Sequence, residues 1–444
     1  MTVRLFRVSI ASVSALFCAV PATQAENLTD ALALAYATNP TIRAERARLD
    51  ATEEARAQAW AGALPQITAG ANITKNDNSQ TASFGGAPQD ISSDFETRAA
   101  SVTGETAVFT GFRNFNAIKQ AGARIRAGGA QLAATEQQVL REVADAYFNV
   151  QRTMAVFSLN QKNVEVLARQ KELADVRFEV GQITRTDVAQ SQARLANAQA
   201  NFSAAQSDLA IARAEYARLV GQAPADLDPV EELPELPENR ESALALADRF
   251  APALIAAREQ SEVARRQVSI ARGEFSPTIS ITAGYEYAET PSAFVDNSEN
   301  FSYGARASMP IFLGGLNFSR VREAKAQHRA AEIEIAESAR LVEANVTAAW
   351  ERMIAARSVI RSAAASVEAN ELALEGVKRE SDVGSRTTLD VLDAEQELLN
   401  AQVTLVSAEA DSRSAAFALL AATGLLTPEA VGVDVDEKHG FIEY

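Results

Sequence analysis

Thiol and imidazole chemistry are almost missing from this chain, whose 444 residues hold one cysteine and two histidines. One cysteine excludes any disulfide within the chain. Cys18 lies in an apolar run, Val8 to Val20, behind Arg4 and Arg7 and ahead of Thr23-Gln24-Ala25. A basic start, a short apolar stretch and small residues at its end are the parts of a secretory signal peptide. The expectation is cleavage after Ala25, leaving a chain without cysteine. Lipidation at Cys18 is the weaker reading, because bulky Phe17 stands where such sites want a small residue. His328 and His439 are far apart in sequence; His328 falls at helical spacing with Val321 and Ile335, as a helix-seam residue does. There is no phosphate-binding glycine loop, no metal-ligand spacing and no nucleophile motif, so the sequence carries no sign of catalysis, cofactor or metal.

Positive charge and long apolar runs are also scarce. The net charge is -16, and loss of Arg4 and Arg7 with the signal takes it to -18. That balance disfavours nucleic acid as a partner and leaves a solvated, cation-attracting surface. After Ala25 no apolar run approaches the ~20 residues of a membrane-spanning helix. If this chain crosses a membrane, strands must do it.

Proline is confined to a few places. None occurs from Gln89 to Ala223 or from Ile311 to Thr427, and both spans are rich in Ala, Leu, Glu, Gln and Arg. Each span is therefore expected to be mostly long helix. Val342, Val346, Ala349, Met353, Ala356, Ile360, Ala363 and Val367 alternate spacings of four and three, the seam of a coiled coil. The same alternation runs from Leu392 to Leu420. A helix from about Leu316 to Glu380 spans roughly 100 Å at ~1.5 Å per residue.

What is present in quantity is repetition. Ala31 to Ala35 returns as Ala243 to Ala247, and Pro40 and Pro65 return as Pro252 and Pro277, at an offset of 212. From Phe109 onward the offset is 203: Gly111 matches Gly314, Tyr147 matches Trp350, Gly181 matches Gly384, Asp187 matches Asp390 and Gly221 matches Gly424. The nine-residue difference lies between Pro65 and Phe109 and is expected to be a loop. The chain divides into a signal (1–25), a first repeat (26–222), a Pro-rich acidic linker (223–239), a second repeat (240–424) and a tail (425–444) without periodicity or assigned role. Tyr147 and Trp350 are expected to pack between helices.

After Pro65 and Pro277 the period changes to two. Ile67, Ala69, Ala71 and Ile73 share one side of a strand, as do Ile279, Ile281, Ala283, Tyr285 and Tyr287. Returning strands fit Phe301 to Ile311 and, less clearly, Phe95 to Val108, with polar loops expected over Asn76 to Asp94 and Glu289 to Asn300. The expected result is two hairpins of about ten-residue strands, apolar on one face. Backbone groups in lipid must be paired, so membrane strands need a closed barrel of roughly eight strands or more, and four would have to be shared between chains. A soluble protein with a small sheet packed on its helices is the other reading of the same pattern.

Between the long helices the sequence places "VGQITRTDVAQSQARLAN" and "VGSRTTLDVLDAEQELLN". Gly181 and Gly384 suit the tight turns that end the first helix of each pair. Asp187 and Asp390 then fall in the first turn of the next helix, where an aspartate is ordinarily a cap. A second aspartate, Asp393, is harder to explain as capping.

With its duplication, the strand starts "LPQI" and "SPTI", the junction "PIFLGG" and above all the motif from Val383 to Asn400, nearly the whole mature chain resembles the TolC family of outer-membrane exit ducts. The resemblance implies a mainly α fold with a β-barrel part. In it a homotrimer shares a 12-stranded barrel in the lipid of a Gram-negative outer membrane, continued by a helical tube across the periplasm. It also implies a periplasmic adaptor protein and an inner-membrane transporter as partners, and a passive duct for type I protein secretion or small-molecule efflux. Carried over by residue, it implies that Asp390 and Asp393 form a pore acidic ring at the periplasmic tip. Six carboxylates around one bore repel one another, raise some of their own pKa values and attract cations. Arg386 is implied to tie to Asp187 and Thr186 of the neighbouring coiled coil, holding the tip shut. Ser381 stands where some members carry a gate tyrosine, which implies a looser closed state and a larger resting conductance. A non-channel periplasmic coiled-coil protein is the alternative that the helices alone permit.

Overall fold

The computed structural model describes residues 26–84, 87–230, 233–292 and 295–433. The expected signal peptide, with Cys18, and the tail residue His439 lie outside the described residues. The first repeat contains α1 (Leu28–Thr38), α2 (Pro40–Ala61), β1 (Gln66–Phe84), β2 (Ala87–Phe109), α3 (Arg113–Glu179) and α4 (Arg185–Val220). The second contains α5 (Arg240–Phe250), α6 (Pro252–Gly273), β3 (Thr278–Ser292), β4 (Val295–Ser308), α7 (Leu316–Asp382) and α8 (Thr388–Thr423). Helix lengths repeat one for one: 11 residues in α1 and α5, 22 in α2 and α6, 67 in α3 and α7, 36 in α4 and α8. The same punctuation sets them. Pro40 and Pro252 open α2 and α6, where their missing N–H costs nothing, and Gly221 and Gly424 close α4 and α8 at φ +93° and +80°.

The four strands form one antiparallel sheet in the order β1-β2-β3-β4. Its register puts Ile67, Gly104, Ala283 and Tyr303 in one row, and Ala69, Val102, Tyr285 and Phe301 in the next. The apolar faces of separate strands thus become one side of one sheet. Rows on the other side are polar, such as Thr68, Thr103, Gly284 and Ser302. The loops expected over Asn76 to Asp94 and Glu289 to Asn300 are instead mostly strand, paired from Lys75↔Glu96 out to Phe84↔Ala87 and, in the second hairpin, through Glu289↔Asn297 to Ser292↔Val295. Polar residues on both faces erase the alternation that marks a strand, yet leave its backbone bonds intact. Cross-strand pairs help: Thr81 Oγ1 donates to Asp90 Oδ1 at 2.5 Å, and Lys75 lies 3.3 Å from Asp94. The nine extra residues of the first repeat are taken up by longer strands rather than by a loop.

The main core sits partway along the helical rod, where α1, α3, α4 and α8 meet. Tyr147, Tyr216, Phe148 and Phe417 are fully buried there, with the Phe148 and Phe417 rings 5.7 Å apart and tilted edge to face. The single proton of the Tyr147 hydroxyl is shared between the carbonyls of Asp228 (2.7 Å) and Glu26 (2.9 Å), which fastens the linker to α3. Leu227, Val230 and Leu236 of the linker pack on the same core. So does the start of the tail: Leu426, Val431 and Val433 are buried although the sequence shows no period there, because the backbone runs as irregular chain with a single 3₁₀ turn at Glu429–Val431. A second cluster joins α5, α7 and α8 through Val342, Val346, Ala349 and Met353, all seam positions. Trp350 packs half-buried beside it.

Candidate functional site

Both helix joints, α3 to α4 and α7 to α8, are built alike. Gly181 and Gly384 take φ +76° and +79°, which lets the chain fold back on the last helical turn. Gln182 N donates to Arg177 O at 2.8 Å and Ser385 N to Glu380 O at 2.9 Å, satisfying carbonyls the helix leaves open. Each joint then restarts with a reciprocal cap. Asp390 Oδ2 accepts from the Thr387 N–H and hydroxyl, both at 2.8 Å, while the Asp390 N–H returns a 3.3 Å bond to the Thr387 hydroxyl. Thr184 and Asp187 repeat the arrangement in the first repeat. The Thr387 backbone N–H, then its hydroxyl, with Arg386 nearby, hold the Asp390 carboxyl below the usual carboxylate range. Within one chain this works against the upward push expected of a crowded acidic ring.

Arg386 turns back onto its own hairpin. Its Nε donates to Glu380 Oε2 at 2.8 Å, and this carboxylate is the main reason the guanidinium is held even more firmly protonated. It does not meet Asp187 or Thr186 of the same chain: Asp187 is occupied with Thr184, and Thr186 is exposed. Asp390 and Asp393 lie one helical turn apart at the start of α8, as expected from their spacing, but in different company. Asp393 Oδ1 accepts from Arg194 on α4, a contact between the two repeats.

Two ionic contacts here were not legible from motifs. Arg194 is one. The other is Lys378 on α7, whose ammonium lies 3.1 Å from Glu395 Oε1 on α8. The Glu395 side chain is 5% exposed, and neither of its oxygens receives a well-directed hydrogen bond, so this is a buried ion contact. The signal was present in the repeat: Arg194 matches Glu397, Asp393 matches Gln190, Lys378 matches Asp175 and Glu395 matches Gln192. Charges that differ between otherwise matched positions mark contacts the two repeats do not share.

The described residues contain no group of His, Cys, Asp and Glu suited to hold a metal ion, and no helix long and apolar enough to cross a membrane. An apolar-faced sheet on a long, duplicated helical rod defines a class of membrane duct protein. Residues 31–222 and 244–425 match the family described as outer membrane efflux protein, and the chain belongs to that family. It is 32% identical to the outer membrane efflux protein BepC of Brucella suis over 416 residues, 93% of this chain and 89% of the relative. It is 28% identical to the outer membrane protein TolC of Vibrio cholerae, covering 92% and 93% of the two chains. The fold matches the Campylobacter jejuni CmeC outer membrane channel with a TM-score of 0.79 at 16% identity, over 97% of this chain and 98% of that one. Family membership places the chain in the outer membrane, among channels rather than enzymes, and sets aside the soluble coiled-coil reading.

Proposed function

We propose that three copies of this chain close a 12-stranded barrel and a helical tube, forming the exit duct of a tripartite export system. A periplasmic adaptor and an inner-membrane transporter would complete that system and choose its cargo, a secreted protein or small molecules. The observation that carries the reading is the sheet. β1 and β4 each have one unpaired edge, and one face carries an apolar band broken only by Thr106 within it and Glu299 at its end. Open edges of this length are not stable in lipid, and pairing β4 of one copy with β1 of the next removes them all. From Ile279 to Tyr287 the band is roughly 26 Å tall at ~3.3 Å per residue, close to the ~25 Å of outer-membrane barrels. Phe109, opposite Ile279, and Tyr287 mark its two ends, with Tyr285, Phe301 and Tyr303 inside it.

A second asymmetry supports assembly. Leu341, Ile354 and Leu372 are exposed on α7, whereas their repeat counterparts on α3 are Gln138, Gln151 and Arg169. These exposed apolar side chains, like Leu173, Val176 and Phe178 on α3, suit faces covered by another copy.

In this duct Asp390 and Asp393 ring the periplasmic mouth, and Arg386 reaches Asp187 and Thr186 of the adjacent chain when the tip is shut. Exchanging Glu380 for those partners trades one exposed ion pair for another, since Arg386 and Glu380 are both half-exposed at the joint. Single-channel recording of the purified protein, with Asp390→Ala/Asp393→Ala beside it, tests the reading. A cation-selective pore that loses selectivity and multivalent-cation block in the variant supports duct and gate together. Well-folded protein that fails to insert refutes the duct, and a pore indifferent to the variant removes the aspartates from its mouth.

A further inference from the structure

The two aspartates at the tip are not electrically equivalent. Asp390 is bound by the N–H and hydroxyl of Thr387, which are neutral donors, so its full negative charge remains. The nearest guanidinium, Arg386, is already engaged by Glu380. Asp393 instead faces the Arg194 guanidinium, and the pair is half-exposed, with side chains 54% and 35% accessible. One carboxylate keeps its charge and the other is cancelled in place.

The pair is also made only once per chain. Applying the 203-residue offset exchanges Arg194 for Glu397 and Asp393 for Gln190. The junction of α4 with α8 inside a chain therefore has an ion pair, while the equivalent junction formed by exchanging the repeats has a carboxylate facing an amide. In a threefold tube that second junction falls between chains.

We propose that Arg194 sets the ion selectivity of the tip, by neutralising Asp393 so that Asp390 carries the unbalanced charge of the ring, and latches the two tip hairpins of one chain to each other. The inference rests on the reading of this tip as the pore constriction. Fixed charge at a narrow, low-dielectric mouth raises the local concentration of counter-ions, so an Arg194→Gln change exposes one more carboxylate per chain exactly where it is felt most. The latch itself is a half-exposed ion pair, so its loss has a smaller effect on opening than the charge has on selectivity.

The test is reversal-potential and block measurement on single channels of the full-length trimer, comparing wild type, Asp390→Asn, Arg194→Gln and Arg194→Gln/Asp393→Asn. Asp390→Asn is expected to lower cation preference. Arg194→Gln is expected to raise it severalfold and to strengthen block by a trivalent cation, and the double variant to return to the wild-type value. Arg194→Lys keeps the charge and should leave selectivity unchanged. If Asp390→Asn shifts the reversal potential and Arg194→Gln does not, the inference is overturned while the gate stands. If neither change shifts it, the gate reading falls and the inference falls with it. Circular dichroism and trimer mobility, unchanged by these surface substitutions, separate either result from misfolding.

Discussion

The two repeats have helices of identical length and joints of identical design, yet only the first wraps a large core. Tyr147 on α3 is fully buried, with its hydroxyl bonded to Glu26 and Asp228, while its counterpart Trp350 on α7 is half-buried beside a smaller cluster. The difference comes from what each helix faces. α1 covers α3 as α5 covers α7, but α3 is also covered by the linker and the start of the tail, which exist once. Duplication fixed the backbone plan, and the single-copy segments enclose one repeat more fully than the other.

The sharpest break of this symmetry is at the upper helix ends. Gly221 and Gly424 share a left-handed conformation, but a Cβ on Gly221 would meet only Thr38 Oγ1 at 3.6 Å, whereas on Gly424 it would lie 2.2 Å from the Phe250 carbonyl oxygen. Gly221→Ala should cost about 1–2 kcal/mol, the strain of the conformation alone. Gly424→Ala adds a backbone clash and should cost more than about 4 kcal/mol, enough to stop folded protein reaching the membrane. Quantifying folded protein in outer-membrane fractions checks both, and equal yields would show that the two ends are equivalent after all.

At the tips the same comparison concerns charge. Lys378 and Glu395 form a contact whose carboxylate is buried, while Lys171 and Asp175 of the first repeat form a half-exposed pair along one helix. Removing one partner of a buried pair strands the other. Lys378→Met should therefore destabilise by about 2–3 kcal/mol, below the full buried-pair value because Lys378 is itself half-exposed. Lys171→Met should change stability by less than about 0.5 kcal/mol. Replacing both Lys378 and Glu395 with Met should recover most of the loss. Denaturant unfolding in detergent gives the three values, and a double variant as weak as the single one would mean that packing, not charge, holds this joint.

The core pair gives the next effect. Tyr147→Phe removes a buried hydroxyl from two carbonyls that keep other donors, Gln151 Nε2 on Asp228 O and the Asp228 N–H on Glu26 O, and should cost about 1–1.5 kcal/mol, while Trp350→Phe should cost under ~1 kcal/mol because the ring is only partly enclosed. Similar losses at both sites would contradict the unequal enclosure of the two repeats.

Much of this was legible in the sequence because it depends on periodic signals. Proline-free spans, the Val342 to Val367 seam and the paired glycines mark the long helices, and Leu316 starts α7 as expected. The hairpin ends were not legible, since Asn76 to Asp94 lacks alternation although its backbone pairs throughout the residues described. The tail was missed because Leu426 and Val433 are buried by tertiary contacts that leave no period. At the tip, the aspartates and glycines stood out as motif, whereas Arg194 and Lys378 acquire meaning only once α4, α7 and α8 are brought together.

The smallest expected effect separates the two roles of Asp390. Its carboxyl titrates below the ordinary value of 3.8 because Thr387 bonds favour the charged form. The capped state is therefore fully stabilised above that value, and the stabilisation disappears as pH falls through the lowered one. Protection of the Thr387 amide against hydrogen exchange, corrected for intrinsic rate, should hold steady down to ordinary carboxylate pKa values and drop only below them. Asp390→Asn should remove that dependence. A protection that already falls well above 3.8 would mean that repulsion within the assembled ring outweighs the cap, and the carboxylate's charge would then belong to the pore before it belongs to the helix.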